Sequence, residues 1–411
     1  MMERSKCMNI PKVRFHGFKE KWREESLSKL FVERHEISTI TESLPQLSFT
    51  ISEGVIYPDD RKSNKRDFLI KDILSKKYLI TCVGDILYNP ANVIYGAIHR
   101  NSLCDGVVSP IYKIFKTEQD SNFMECVVRN PSFISQLSMK TEGTVTKLKT
   151  LKPESFLEMI VKIAPSIYEQ RKIASYFQTL DSLIQTTSKK LASLKQIKAA
   201  SLQSMFPQEG ETVPKVRFKG FEGKWKNLTL GEIGKWSKGR LLSKSDLTAD
   251  GKNPCIHYGE LFVNYSEVIN EVESYTNVDN GCYSEIGDIL FPDSDVTATG
   301  LARCSAIMQN GVILGGGINI LKVDKKFYSP YISYSINQEK GQIISRVIGT
   351  TVRHINSTAL SEVQIAVPSD IKEQQQIADY FTCLDKQITL QAQRLEKLKQ
   401  IKAACLDKMF V

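Results

Sequence analysis

The 411-residue chain carries the same text twice. A duplication constrains the fold more tightly than any local propensity, because both copies must solve the same packing problem. PKVRFHGFKEKW (Pro11 to Trp22) returns as PKVRFKGFEGKW (Pro214 to Trp225), and GDILY (Gly84 to Tyr88) as GDILF (Gly287 to Phe291), each shifted by 203 residues. Glu169–Phe206 returns as Glu373–Phe410, shifted by 204, with 20 of 38 positions identical, against about two expected from average residue usage. Between these anchors the halves diverge: GDILYNPANVIYGAIHRN faces GDILFPDSDVTATGLARC. The chain therefore reads as two units, each an opening motif, a variable globular stretch and a long closing helix.

The closing segments have the clearest local pattern. Ser166-x-x-Glu169 and Asp370-x-x-Glu373 each fit an N-cap with a reciprocal Glu three residues on, just after Pro165 and Pro368. Apolar residues follow at 4-3 spacing: Ile173, Phe177, Leu180, Ile184, a polar gap at Thr187, then Leu191, Leu194 and Met205. The second copy gives Ile377, Phe381, Leu384, Ile388, a gap at Gln391, then Leu395, Leu398 and Met409. Such a stripe is a coiled-coil seam that must bury against something, and the other copy is the nearest candidate. An antiparallel pairing places one globular domain at each end with pseudo-two-fold symmetry and brings Thr187 opposite Gln391. The globular stretches, for example VVSPIYKIF (Val107 to Phe115) and GVILGGGINILKV (Gly311 to Val323), read as short strands between turn residues. The expected fold is α+β, with a first globular domain over 1–162, a central long helix over 163–210, a second globular domain over 211–366 and a C-terminal long helix over 367–411.

No catalytic constellation stands out. There is no G-x-x-x-x-G-K-[ST] loop, and neither Asn89-Pro90-Ala91-Asn92 nor Gly315-Gly316-Gly317 fits a methyltransferase target or cofactor loop. Asp59, Asp60, Arg61 and Lys62 crowd into one turn rather than converging on a metal from two strands. The five histidines are scattered and the nine cysteines form no C-x-x-C pair, which leaves no metal site and suits a reducing cytoplasm. No apolar run is long enough to span a bilayer, so no membrane is expected.

A net charge of +9 favours a polyanionic partner. In the first half Arg61, Lys62, Lys65 and Arg66 share one polar loop, and Tyr95 and Arg100 follow the GDIL strand. In the second half the candidates are Lys238, Arg240, Lys244, Arg303, Arg353 and His354. Lysine and arginine neutralise phosphates, and arginine can also read guanine bidentately. A helix of about 40 residues is roughly 60 Å long and spans about 18 base pairs, so paired helices could hold two reading domains over separated half-sites. From the residues alone a second reading stays open, a coiled-coil adaptor presenting two globular domains without DNA.

In this order and duplicated, EQRKIASYFQTLDSLI, EQQQIADYFTCLDKQI, the two KQIKAA stretches with their closing Met-Phe, GTTVRHIN (Gly349 to Asn356) and KVRFKGFEGKW resemble type I restriction-modification specificity subunits. The resemblance implies a DNA-binding subunit, non-catalytic alone, whose two domains each read half of a bipartite double-stranded site while the helices set the gap. It also implies partners: two modification (methyltransferase) subunits using S-adenosylmethionine, and restriction (endonuclease/translocase) subunits using ATP and Mg. The chain itself then needs no cofactor. The first copy departs from the pattern, with REESLSKLF after Trp22 where the second has NLTLGEI, and EGTVTKLK in place of GTTVRHIN.

Overall fold

A computed structural model describes residues 9–60, 76–141 and 150–410. The chain forms two compact units, Met1–Thr187 with Arg394–Val411, and Ser188–Gln393. Both are α+β. Two helices of 39 residues each, α1 (Ile167–Met205) and α2 (Ile371–Met409), contribute to both units. Among the described residues no helix is long and apolar enough to cross a membrane.

In the first unit a four-stranded antiparallel sheet runs in the order Phe31–Glu33, Lys113–Thr117, Ile86–Tyr88, Ile98–Arg100. The corresponding sheet of the second unit has five strands, in the order Gly234–Lys238, Ile318–Val323, Asp288–Pro292, Ser305–Ile307, Val268–Ile269. Its last strand pairs parallel to Ser305–Ile307, where the first unit has no fifth strand among the described residues. The repeated Gly-Asp explains how the central strand begins in both. Gly84 and Gly287 adopt φ of 99° and 95°, conformations that suit glycine, and the following aspartate accepts a backbone N–H three residues back, from Cys82 or Glu285.

The opening motifs are strapped to the helices in the same way twice. Arg14 donates from Nε and Nη2 to the two carboxylate oxygens of Glu169, at 2.6 and 2.8 Å. Arg217 grips Glu373 at the same two distances. Both glutamates are 1% exposed. The neighbouring glutamines repeat too: the Gln170 and Gln374 amides donate to Ala164 and Pro368 carbonyls and accept from Asp120 and Tyr328 N–H groups, which precede the helices Ser121–Val128 and Ser329–Ile336. The expected capping boxes are thereby corrected. Glu169 and Glu373 do occupy the first helical turn, but their carboxylates go to arginines far away in sequence, and Asp370 caps the Lys372 N–H.

An aromatic knot closes each unit. In the first, Phe410 packs against Trp22, Phe123 and Phe177 with ring centroids 5.7–6.0 Å apart. In the second, Phe206 meets Trp225, Tyr331 and Phe381 at 5.7–6.3 Å. The Val13 N–H donates to the Lys408 carbonyl and the Val216 N–H to Ser204, so each opening motif also satisfies a carbonyl at a helix C-terminus.

Within each unit the helix segments run in opposite directions past one another. Tyr176 and Asp181 meet Cys405 and Lys402 in the first; Tyr380 and Asp385 meet Ser201 and Lys198 in the second. Ile173, Phe177, Leu180, Leu194, Ile377, Phe381 and Leu384 are buried, while Ile184, Leu191, Ile388, Leu395 and Leu398 are half-buried. Thr187 is buried at 4% exposure and Gln391 is half-buried.

The expected boundaries at 163 and 367 move. Ile163 and Val367 are the last residues of strands Ile160–Ile163 and Gln364–Val367, which pair with Arg23–Ser26 and Lys226–Thr229. The divergent REES and KNLT segments nevertheless dock identically, with Ser26 opposite Ile160 and Thr229 opposite Gln364, because strand pairing uses backbone groups. A buried pair that loses one member leaves an uncompensated charge, which costs about 3–5 kcal/mol. Arg217→Met is therefore expected to lower the unfolding free energy of its unit by about 3 kcal/mol, and Arg217→Met with Glu373→Leu to recover much of the loss; chemical denaturation followed by tryptophan fluorescence measures both.

Candidate nucleic-acid interface

The second unit gathers its sequence-predicted cations around the strand that follows GDILF. Lys238 ends the first strand of the five-stranded sheet, and its Nζ lies 2.7 Å from Asp293 Oδ2 while the side chain stays 61% exposed. Ser294–Asp295 pairs antiparallel with Arg353–His354, placing His354 opposite Ser294 and Arg353 opposite Asp295. The pairing is anchored from inside: Ile355 N–H donates to the Asp293 carbonyl, and the buried Asn319 amide donates to the Ile355 carbonyl. Arg353 Nη1 reaches the Val296 carbonyl at 3.2 Å, a single contact that leaves the rest of its donors for a ligand, and His354 is exposed.

Arg240 and Lys244 occupy the segment just after Lys238, and both are exposed. Arg240 bridges to Gly315, and its Nη1 donates to the Asn280 carbonyl at 3.3 Å. Gly239 makes this route possible, since a Cβ there would sit 2.1 Å from the Gly315 carbonyl oxygen. Gly315-Gly316-Gly317 connects two strands, Ile313–Leu314 and Ile318–Val323.

Two predicted candidates face inward instead. Arg303 donates to the carbonyls of Phe262 and Tyr265 at 2.5 and 2.7 Å, holding the end of the helix Glu260–Val263, and burial pulls its pKa down. Arg100 lies on the open edge strand of the first unit beside Glu125, with Nε 3.8 Å from Oε2. Arg303 is used up by topology that brings distant carbonyls to it, whereas Arg100 is turned inward beside Glu125 with its Nε still lacking a hydrogen-bond partner among the described residues. Tyr95, in contrast, is 61% exposed on the turn Val93–Tyr95. Arg61, Lys62, Lys65 and Arg66 lie outside the described residues.

Sequence reasoning missed the acidic and apolar members of the same face. Asp295 accepts from the Val296 N–H and the Thr297 hydroxyl, both at 2.7 Å, and Thr297 caps the short helix Ala298–Leu301 through Gly300 N–H. Val296, Ile348 and Val352 are exposed at 67, 65 and 49% beside Arg353. The available signal was GDILFPDSDVTATG itself, where polar turn residues crowd directly behind a buried strand. Among the described residues no group of His, Cys, Asp and Glu could hold a metal ion.

An exposed ridge of cations, carboxylates and isolated apolar side chains, carried on short strands braced from below, has the chemistry needed to contact phosphates and base edges. Residues 222–400 match the type I restriction modification DNA specificity domain. The match to this specificity domain covers the whole ridge and most of α2. A Mycoplasma pneumoniae protein named as a type I specificity subunit is 24% identical over 191 residues, 45% of each chain. The Methanocaldococcus jannaschii type I restriction enzyme MjaVIII specificity subunit is 22% identical over 259 residues, 59% of each chain. The chain thus aligns with about half the length of these curated relatives. The crystal structure of a type I restriction-modification system S subunit from M. genitalium superposes with a TM-score of 0.64, covering 98% of this chain and 99% of that one at 14% identity. At that identity the likeness is one of fold.

The ridge depends on Gly239. Gly239→Ala should push the Gly315 segment away and lower the melting temperature by several degrees, an effect of about 2 kcal/mol. Gly231→Ala, whose Cβ would lie no closer than 3.4 Å to any atom outside its immediate chain neighbours, should stay near wild type; differential scanning fluorimetry compares them.

Proposed function

We infer that this chain is the specificity subunit of a type I restriction-modification complex, binding double-stranded DNA sequence-specifically through two recognition domains. The observation that carries the reading is an identical frame used twice around unlike inserts. The Arg–Glu clamp, the glutamine brackets and the aromatic knot recur in both units, while the segments after GDIL share neither sequence nor shape. Selection for one surface would not keep two different ones on the same mounting.

Each domain reads one half of a bipartite site. In the second, Lys238 and Lys244 serve as phosphate contacts that position the domain, since a flexible ammonium acts as a point charge. Arg353 and Asp295 sit on opposite strands of one ladder and suit guanine acceptors and the cytosine amino group respectively, with Val296 and Val352 available to thymine methyls. In the first, Tyr95 and the cations Arg61, Lys62, Lys65 and Arg66 take these roles. Arg100 and Arg303, committed inward, are removed from the reading set.

The two long helices form an antiparallel coiled coil that sets the gap between half-sites and docks two modification subunits. Methylation and cleavage belong to those partners and to the restriction subunits, together with S-adenosylmethionine, ATP and Mg, so the chain works in the cytoplasm without its own cofactor or active site. A coiled-coil adaptor unrelated to DNA predicts no sequence dependence at all, and the following measurements separate the two.

Mapping methylated adenines genome-wide in cells carrying the complex should return one bipartite motif. Inserting four residues, about one helical turn, within Lys189–Leu194 should widen its gap and leave both half-sites unchanged; altered half-sites refute the spacer role. Exchanging residues 212–365 for another recognition domain should change one half-site only. Arg353→Ala should relax a single position at a cost of about 1–3 kcal/mol, whereas Lys238→Gln should weaken all sequences alike and reduce the salt slope by about one.

A further inference from the structure

The two units carry the same lysine–aspartate pair between their helix segments, yet they complete it differently. In the second unit Lys198 Nζ lies 2.6 Å from Asp385 and 3.0 Å from Glu267, and the Tyr334 hydroxyl donates to Asp385 at 2.6 Å. Glu267 immediately precedes the covering strand Val268–Ile269, and its backbone carbonyl accepts from Ala306 N–H. With Arg303 close enough to feel Glu267, this cluster holds two cations and two carboxylates. It is neutral.

The first unit has the equivalent pair, Lys402 with Asp181, but among the described residues no covering strand and no counterpart of Glu267. A cavity of about 380 Å³ stands beside the pair, lined by Arg100, Glu125, Arg129, Asp181 and Lys402 among others. Glu125 takes over the backbone role of the missing strand, accepting the Arg100 N–H at 3.1 Å, and its carboxylate also faces His99 at 3.6 Å and Arg129 at 3.4 Å. Burial opposes its ionisation, but the nearby His99 ring and the bond from the Arg100 N–H outweigh that and hold it below the usual carboxyl value. Cys126, at the place Tyr334 takes in the second unit, adds no charge, since burial pushes its thiol up to about 12. Three cations then face two carboxylates, and Arg100 Nε is buried without a hydrogen-bond partner among the described residues. One positive charge and one donor are left over.

We propose that this cavity is a socket for an acidic side chain of a partner protein, whose carboxylate bridges Lys402 and Arg129 and reaches Arg100. It supplies between chains what Glu267 supplies to Lys198 within the second unit. A carboxylate is favoured over a phosphate because one negative charge completes the balance and because the internal counterpart is itself a carboxylate. The bearer of the acidic segment is a modification subunit, and that part rests on the assembly proposed above.

The test titrates a blocked, fluorescently labelled tetraglutamate peptide against the full chain at low salt. Saturable binding is expected, weakened at least fivefold by Arg129→Glu and retained by Arg129→Lys. Ser102→Glu, which adds a carboxylate at the cavity's rim, should compete from within and weaken the peptide similarly, giving a second reading should Arg129→Glu perturb folding. Absence of peptide binding, or binding indifferent to both acidic variants, overturns the socket. So does a loss on Arg129→Glu confined to a DNA duplex, which would assign these cations to phosphate. With purified modification subunits, Arg129→Glu should weaken assembly at least tenfold. Peptide binding without assembly by the wild-type chain would sink the assembly and keep the socket, whereas assembly indifferent to Arg129→Glu would sink the socket alone.

Discussion

A carboxylate removed from water must be met by a positive group of matching geometry, and in this protein that requirement is satisfied twice by a bidentate arginine. Glu169 and Glu373 sit in the first turns of the long helices, where the helix dipole already favours negative charge. Arg14 and Arg217 supply the fork that fits both oxygens. Each pair joins residues about 155 apart in sequence, so the opening motif cannot leave its place without stranding a buried charge. The glutamine beside each glutamate then fixes the helix that backs the sheet. Orientation of the whole globular part is thus referred to one turn of helix.

On that shared mounting the two units diverge where divergence is structurally cheap, at the sheet edge and in the loop behind the central strand. An edge strand presents unpaired N–H groups that something has to satisfy. The second unit uses an added strand preceded by Glu267; the first uses the side chain of Glu125. Either solution leaves the Arg–Glu clamp untouched, which explains how a frame can be conserved within the chain while its inserts are replaced.

Much of this was legible in the sequence. The 4-3 stripes marked the helices because burial repeats with helical period, and Phe177, Leu180, Phe381 and Leu384 are indeed core residues. The clamp was not legible, since a contact across 155 residues leaves no periodic trace. A usable signal was nevertheless present: Glu169 and Gln170 survive in the second copy while the adjacent Arg171 and Lys172 become Gln375 and Gln376. The residues of the proposed reading surface were harder still. Arg303 and Arg100 are indistinguishable from Arg353 by composition, and only the topology shows that two of them find partners inside while the third is left with a single carbonyl.

That difference bears on how recognition can be precise. A side chain that reads a base edge needs a backbone that does not drift, and Arg353 stands on a ladder only two residues long, too short to be rigid by itself. Its rigidity is borrowed through Ile355 and Asn319 from the central sheet, and the sheet is referred through Tyr331 and Phe206 to the helix ends. The helices are continuous through 39 residues each. Positional accuracy therefore flows from the repeated scaffold outward to the unrepeated tip, and the proposed reading surface can change without moving its mounting.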